Sequence, residues 1–242
     1  MESYCRGERH VSWHKETIAA FDLETTGVDP EEARIVSAAF IFISPDDEIM
    51  RGSFNRLADP EAPIPEEATA VHGINQEQLE FSALSRKEII DKIHFSFTHA
   101  ARENIPVVIY NARFDLTLFL AEAARLGMDK PEIGPIIDPL VIDRAKDKYR
   151  KGGRKLETVA AHYGVDLDDA HAAAADAIAA AAIACQLPSR YISLRNLSLD
   201  QLQEAQAKWY EDWKNGLNAW WKRKGIDKEI PAHEVWPTHL EY

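Results

Sequence analysis

The stretch Ile18-Ala19-Ala20-Phe21-Asp22-Leu23-Glu24-Thr25-Thr26-Gly27 sets the expectations for the fold. Its apolar part predicts a strand over residues 15–23, and the Gly-containing segment that follows predicts a turn. Asp22 and Glu24 are two apart, so on a strand their side chains point to the same face. Two carboxylates at the end of an apolar strand are costly unless metals or partners neutralise them. The stretch therefore predicts a site at the strand's exit, although a solvated strand end would have the same sequence.

Strand and helix patterns around this stretch predict an α/β fold. Apolar runs at residues 34–43 and 48–57 predict two further strands in an antiparallel meander. Beyond a Pro-rich loop, four-residue spacing predicts a helix through residues 89–101. Short strands at 107–110 and 136–137 and helices at 114–126, 156–163 and 171–186 complete the pattern. A meander followed by alternating helices and strands predicts a mixed sheet with helices on its faces.

Composition excludes several classes of protein. The 242 residues are 45% hydrophobic and 28% charged, as in a soluble globular protein, and no apolar run is long enough to span a bilayer. Residues 1–7 lack the apolar stretch of a secretory signal. Cys5 and Cys185 are far apart, with no Cys/His cluster around either, which argues against structural zinc and fits a reducing compartment. We therefore expect a cytoplasmic protein.

The charge distribution bears on nucleic-acid binding. A net charge of −12 opposes it, because Lys and Arg supply most of the non-specific affinity for phosphates. Positive charge is nevertheless concentrated in residues 144–155, the basic segment. Its cations are Arg144, Lys146, Lys148, Arg150, Lys151, Arg154 and Lys155, against the single acid Asp147. We predict a flexible backbone clamp that uses Lys151 and Arg154, with a solvated charged loop as the alternative.

Two further segments contain candidate catalytic residues. In Asn111-Ala112-Arg113-Phe114-Asp115 a strand passes into a helix, and Asp115 falls in the first helical turn, where the helix dipole favours an anion. In His171-Ala172-Ala173-Ala174-Ala175-Asp176 the alanines leave the first and last residues as the only polar side chains. Taken singly, Asp115 could be a helix-start acid, which is common, and a helix-start residue that faces solvent is the better interpretation of a lone histidine such as His171.

In chain order, residues 21–27, 111–115 and 171–176 resemble the three motifs of the DEDD superfamily of 3′→5′ exonucleases. These DnaQ-like proteins include proofreading subunits of bacterial DNA polymerase III. Val71-His72-Gly73-Ile74 and residues 156–164 are also similar to family segments, so the resemblance covers residues 15–187. Because a histidine stands five residues before Asp176, the chain resembles the DEDDh branch. The resemblance implies a ribonuclease H-like fold, with residues 1–187 as the exonuclease domain.

The resemblance also implies a two-metal site for Mg²⁺ or Mn²⁺. Asp22 would bridge both ions, Glu24 and Asp176 would complete the site for the attacking water, and Asp115 would help hold the second ion. Carboxylate oxygens are the ligands that such ions prefer, and two-metal sites place the ions about 3.5–4 Å apart. His171 would act as general base, because an imidazole with a pKa near ~6.5 accepts a proton around neutral pH.

Substrate contacts are implied for residues near these motifs. The backbone groups of Leu23 and Thr25 would lie beside the terminal nucleotide, with Asn111 and Phe114 from the second motif, although Phe114 could equally be a core residue. His72 would approach the terminal base, or is a turn histidine without a role. Asp138 matches a recurrent acid of the family, which we interpret as the cap of a helix that begins before Leu140 rather than as a metal ligand.

Residues 188–242 extend beyond the minimal exonuclease pattern, with Pro188 closing the first unit. A capping residue, Ser198, predicts a long helix through Lys224. Its apolar stripe consists of Leu202, Trp209, Trp213, Leu217 and Trp220. We expect this stripe to pack against its own domain, with a protein partner as the alternative. The end of the helix, residues 220–224, could also stack on single-stranded bases.

Three functions remain open from the sequence. The first is an exonuclease that releases nucleoside monophosphates from 3′ ends of single-stranded or frayed DNA, in proofreading or repair, alone or with a polymerase or helicase partner. The second is an RNA-trimming exoribonuclease, because DNA and RNA are distinguished near the 2′ position. The third, a catalytically silent nucleic-acid-binding module, is disfavoured by the complete set of five catalytic residues.

Overall fold

The fold is organised around one mixed sheet. A computed structural model describes residues 12–46, 48–167 and 170–240. Its strands are β1 (Ile18–Thr25), β2 (Ile35–Ile43), β3 (Phe54–Leu57), β4 (Val107–Val108) and β5 (Ile136–Ile137). They are ordered β3-β2-β1-β4-β5, with β1, β2 and β3 antiparallel and β4 and β5 parallel to β1. The predicted mixed sheet and strand meander are confirmed. Cys5 and the N-terminal residues 1–7 lie outside the described residues.

Helices cover both faces of the sheet. They are α1 (Glu66–His72), α2 (Gln76–Ser82), α3 (Arg86–Arg102), α4 (Ala112–Arg125), α5 (Pro139–Lys146), α6 (Leu156–Tyr163), α7 (Ala173–Arg190) and α8 (Leu199–Lys224). Ser198 caps α8 with a reciprocal capping box, as the sequence predicted. None of the described helices combines the length and apolarity that a membrane-spanning segment requires.

Successive side chains of β1 point to opposite faces of the sheet and enter two different cores. Phe21 and Leu23 enter the core beneath α3 and α4, where Phe21 meets Phe97 and Phe119 at ring-centroid distances of 5.1 and 6.5 Å. Ala20 enters the opposite core, which α6 and α7 cover with many alanines. Since Asp22 and Glu24 share the parity of Ala20, their side chains face α7. Small side chains on α7 let that helix approach the sheet closely.

Several element bounds differ from the sequence predictions. The third strand is four residues long, because residues 48–53 form a turn and an isolated bridge before it. Helix α7 continues through Pro188 to Arg190, so this proline does not end it. The sequence predicted the Pro-rich loop but not helix α1, which follows it. Pro65 is the N-cap residue of α1, and its φ of −60° is the value that a proline ring fixes.

The C-terminal extension packs onto the edge of the sheet. Leu202 and Tyr210 of α8 are buried in the two cores, and the Gln203 and Gln206 amides hydrogen-bond the backbone of β5. Trp236 of the tail is also buried in the core beneath α4. Because its apolar side chains complete those cores, the extension is integral to the described fold. The domain boundary at residue 187 remains a prediction.

Candidate active site

Three carboxylates converge where β1 ends. Asp22 and Glu24 project from β1 towards α7, and Asp176 lies in the first turn of that helix. One oxygen atom from each of these carboxylates lies within 4.8 Å of the others. Among the described residues, this is the group whose donor atoms could hold a metal ion. Hard oxygen donors in this arrangement fit Mg²⁺ or Mn²⁺ better than a soft metal.

Asp115 reaches the same place from the other side of β1. It lies in the first turn of α4, and its Oδ1 accepts a hydrogen bond from the Leu23 backbone N–H at 3.2 Å. The helix begins after Asn111, whose left-handed backbone (φ 63°) makes the sharp turn from β4 into α4. Asparagine is among the non-glycine residues that adopt this conformation most readily. The turn therefore brings a fourth carboxylate to the end of β1.

Burial raises the pKa values of all four acids, and repulsion from a neighbouring carboxylate adds to each shift. Burial raises the pKa of Asp22 well above its usual range, and the charges of Asp115, Glu24 and Asp176 add to the shift. Burial, with the charge of Asp176, raises the pKa of Glu24 to about 8. The pKa values of Asp115 and Asp176 are also raised, chiefly by burial. Bound cations would favour the ionised carboxylates and oppose these shifts.

His171 lies at the rim of this cluster. It precedes α7 with a left-handed backbone (φ 70°), and its N–H donates to Asp176 Oδ1 at 3.3 Å. The imidazole Nε2 is 3.2 Å from Glu157 Oε1, and 43% of the side chain is exposed. The backbone of His171 thus orients Asp176, while its ring is held by Glu157. Sequence reasoning did not identify Glu157, since nothing in its local pattern indicates a partner for a histidine 14 positions later.

Two cavities are lined by predicted site residues. The first, of about 350 Å³, is lined by Asp22, Leu23, Tyr110, Asn111, Phe114, Asp115, Leu140, Arg144, Arg154, Lys155, Leu156 and Asp176. The second, of about 230 Å³, is lined by Ser37, Asn55, Arg56, Leu57, His72, Ile74 and residues 171–173. The first cavity contains three of the four acids and most of the predicted substrate contacts. The second brings His72 and His171 to one surface.

The predicted contacts differ in how they are placed. Phe114 lines the first cavity and also packs against the core, so both sequence interpretations describe it. His72 ends α1, and its Nδ1 accepts a hydrogen bond from Ile74 N–H at 3.0 Å. Burial lowers the pKa of His72. Thr25 donates its hydroxyl to the Gly27 carbonyl at 2.8 Å, which shapes the turn after β1. Lys151 is exposed and lies outside the residues that line the two cavities.

Much of the basic segment is held by internal contacts. Buried Asp143 pairs with Arg150 at 2.6 Å and with Arg154 at 2.7 Å. The Arg144 guanidinium lies 3.9 Å from the centre of a Trp213 ring, and Lys146 contacts Trp209 in the same way. These cations therefore stabilise the fold, and Arg154 is fixed where the sequence predicted a flexible loop. Lys148, Lys151 and Lys155 are exposed.

Asp138 is buried beside the acidic cluster. Its Oδ1 accepts hydrogen bonds from the Leu140 and Val141 N–H groups, so the predicted capping of the following helix, α5, is confirmed. The same carboxylate also accepts hydrogen bonds from the backbone of Asn111 and Ala112 and from the Trp236 indole. Asp138 therefore joins the start of α4 to α5 and to the C-terminal tail.

Comparison with known proteins identifies a family for the part of the chain that contains these residues. The model of the exonuclease family RNase T matches residues 19–184. The DNA polymerase III subunit epsilon-like protein of Rhodobacter capsulatus is 28% identical over 172 residues, which cover 69% of this chain and 23% of that protein. An uncharacterized exonuclease of Escherichia phage 186, CP81, is 30% identical over 186 residues, covering 70% of this chain and 87% of that protein.

Solved structures share the fold. The E. coli Exonuclease I in complex with a dA16 oligonucleotide superimposes with a TM-score of 0.64 at 20% identity, covering 75% of this chain and 42% of that one. This chain spans only part of the length of such relatives. It covers 23% of the Rhodobacter capsulatus protein, and 12% and 11% of the PolC-type DNA polymerase III proteins of Clostridium perfringens and Halalkalibacterium halodurans.

Proposed function

The chain belongs to the RNase T exonuclease family, and we propose that it is a metal-dependent 3′→5′ exonuclease acting on 3′ ends of single-stranded or frayed DNA. The observation that supports this most is the convergence of Asp22, Glu24 and Asp176, with oxygens within 4.8 Å of one another, beside Asp115. Four neighbouring acids with raised pKa values, of which Glu24 and Asp115 are buried and Asp22 and Asp176 half-buried, form a costly arrangement that bound cations would relieve. The donor set fits two Mg²⁺ or Mn²⁺ ions.

Each acid has a proposed part in holding these ions. Asp22 lies close to Glu24 and Asp176 and lines the same cavity as Asp115, and it would contact both ions. Glu24 and Asp176 would hold the ion beside the attacking water, and Asp115 the ion beside the leaving oxygen. When bound, the ions supply positive charge that polarises the scissile phosphate and favours ionisation of the attacking water. The chain itself contributes fixed oxygens on a strand and two helix starts.

His171 is the proposed general base. Its imidazole lies at the mouth of the site and is oriented by Glu157, 3.2 Å from Nε2. Catalytic hydrogen bonds are commonly longer in ligand-free structures than in loaded enzymes, so a rim position is compatible with this role.

The first cavity is the proposed site of the terminal nucleotide. The carboxylates of Asp22 and Asp115, which line this cavity, would face the phosphate. Leu23 and Phe114 would offer apolar surface to the sugar and base. Lys155 and the exposed Lys148 and Lys151 would attract the preceding phosphates through an electrostatic contribution that depends on salt. Arg154 would act mainly by holding the cavity wall through Asp143.

DNA is the proposed substrate, and a polymerase-linked role such as proofreading is a second step of the same proposal. Relatives of this chain are named as DNA polymerase III proteins, which supports DNA over RNA. An exoribonuclease would use the same carboxylates, so the substrate is tested directly. DNA and RNA strands of one sequence, each labelled at the 5′ end, are incubated with protein and Mg²⁺ or Mn²⁺.

We expect stepwise shortening of the DNA, no reaction in EDTA, and no reaction with Asp115→Ala. Faster degradation of RNA would assign the chain to RNA trimming. Intact strands of both kinds, with folded wild-type protein and either metal, would defeat the enzyme proposal and favour a silent binding module.

A further inference from the structure

The C-terminal tail contacts the helix that bears Asp115, and we infer that residues 234–238 are a positioning element for that carboxylate. The consequence for catalysis rests on the proposed function. The inference concerns a tail that lies beyond residues 19–184, the part matched by the exonuclease family model. Its physical basis is a set of contacts that begin at Asp138.

Asp138 fixes the turn that starts α4. Its Oδ1 accepts the Asn111 N–H at 3.1 Å, and its Oδ2 accepts the Ala112 N–H at 2.9 Å. Asn111 has a left-handed backbone, an unfavourable conformation that persists where surrounding contacts enforce it. The two hydrogen bonds enforce this conformation, and Asp138, which accepts them, is only 1% exposed. The start of α4 therefore depends on the position of Asp138.

The tail contributes to holding that carboxylate and helix. The indole N–H of Trp236 donates to Asp138 Oδ2 at 3.2 Å, and the Trp236 side chain is 7% exposed. Glu234 pairs with Arg113 at 3.1 Å, and the hydroxyls of Thr238 and Thr117 are 2.9 Å apart. Arg113 and Thr117 stand two residues before and two after Asp115, and because they are four apart they share one face of α4. The tail therefore contacts the turn that bears the carboxylate at two points on that face.

Helix α8 holds the tail in place. Lys214, whose side chain is 3% exposed, donates to the backbone carbonyls of Ala232 at 3.3 Å and Glu234 at 3.0 Å. On the same helix, the side-chain oxygen of Gln206 accepts a hydrogen bond from the Asp138 N–H at 2.7 Å. The extension thus reaches Asp138 twice, through its helix and through its tail. This gives the aromatic extension a role beyond the packing that its apolar stripe indicates.

Loosening the tail should move Asp115 relative to β1. Asp115 is one helical turn after Asn111, and its Oδ1 accepts a hydrogen bond from the Leu23 N–H of β1 at 3.2 Å. A shift at the start of α4 is therefore transmitted to the carboxylate and alters its distance from Asp22. Rates and metal affinities respond strongly to such shifts, because groups that orient metal ligands commonly change them about tenfold or more when removed.

The test compares two buried tryptophans. Trp236→Phe keeps an aromatic ring but removes the N–H that Asp138 accepts. Trp13→Phe is the matched control, because Trp13 is 4% exposed and its indole N–H has no hydrogen-bond partner among the described residues. A second variant, Glu234→Ala with Thr238→Val, removes the tail contacts with Arg113 and Thr117 at partly exposed positions and serves if Trp236→Phe does not fold.

Three measurements are made on the full chain. We expect Trp236→Phe to speed hydrogen exchange of amides 111–116 in metal-free protein, to weaken Mn²⁺ binding in calorimetry about tenfold, and to lower kcat on single-stranded DNA about tenfold with KM nearly unchanged. Trp13→Phe should leave all three unchanged even if its thermal stability falls equally.

The exchange experiment separates the inference from the proposed function. If the wild-type protein has no nuclease activity, the proposed function fails, while faster exchange confined to the Trp236 variant still supports the positioning role. Equal exchange and equal Mn²⁺ affinity in the two tryptophan variants would overturn the inference, whatever the activity.

Discussion

Replacing Glu24 by Gln should stabilise the metal-free protein, although it removes a proposed metal ligand. Glu24 is 8% exposed, and burial together with Asp176 raises its pKa from 4.5 to about 8. The unfolded chain releases this proton near pH 4.5, whereas the folded chain keeps it until about pH 8. Stability from this group therefore falls as the pH rises through that window. Gln resembles the protonated acid and has no proton to lose, so the substitution removes the effect.

The size of the effect follows from the same pKa values. Folding with an acid shifted from 4.5 to about 8 costs on the order of 3 kcal/mol at pH 7 but only about 1 kcal/mol at pH 5. Glu24→Gln should therefore raise the free energy of unfolding in EDTA by about 3 kcal/mol at pH 7, or roughly 5–10 °C in Tm for a chain of this size.

Urea unfolding followed by tryptophan fluorescence in EDTA measures this difference. Glu204→Gln on the exposed face of α8 is the control, and it should change the midpoint little at either pH. The reasoning is refuted if Glu24→Gln is no more stable than wild type at pH 7, or if its gain is equally large at pH 5.

Three further predictions test the general base, the metal ligands and the stability of the fold. His171→Ala should lower kcat about 10²–10⁴-fold while Mn²⁺ affinity in calorimetry is retained; unchanged turnover would mean that the base is wrongly assigned. Mn²⁺ binding at pH 7 should release protons, detected as a dependence of the calorimetric heat on buffer, because Glu24 with a pKa of about 8 is largely protonated without metal. Glu122→Gln should destabilise the fold by about 3 kcal/mol or more in urea, since this buried carboxylate pairs with Arg34, Arg86 and Arg125; a smaller loss would show that the arginines find other partners.

The parts of the site that lie on one element follow from local sequence pattern. The two-residue period of β1 places Asp22 and Glu24 on one face, and the alanines of residues 172–175 predict a helix that can approach them. Convergence with Asp115 did not follow from any single segment. It was expected only from the order of three motifs, because the turn at Asn111 and the bond to Leu23 N–H depend on strands that are distant in sequence.

The contacts that support the site were beyond local reasoning. Glu157 holds His171, and Trp236 reaches Asp138 across 98 positions of sequence. The charge count of the basic segment likewise predicted free cations. It could not show that Asp143 and two tryptophans of α8 engage much of that charge, because solvation depends on packing between segments.

The most direct test of the central claim uses a single DNA strand with its label in the 3′-terminal nucleotide. If Asp22, Glu24, Asp115 and Asp176 form an exonuclease site, wild-type protein with Mn²⁺ should release the label first as a nucleoside monophosphate. Asp22→Ala, checked for folding, should release none. Labelled fragments of several nucleotides as the first product, or release by the folded Asp22→Ala protein at the wild-type rate, would contradict it.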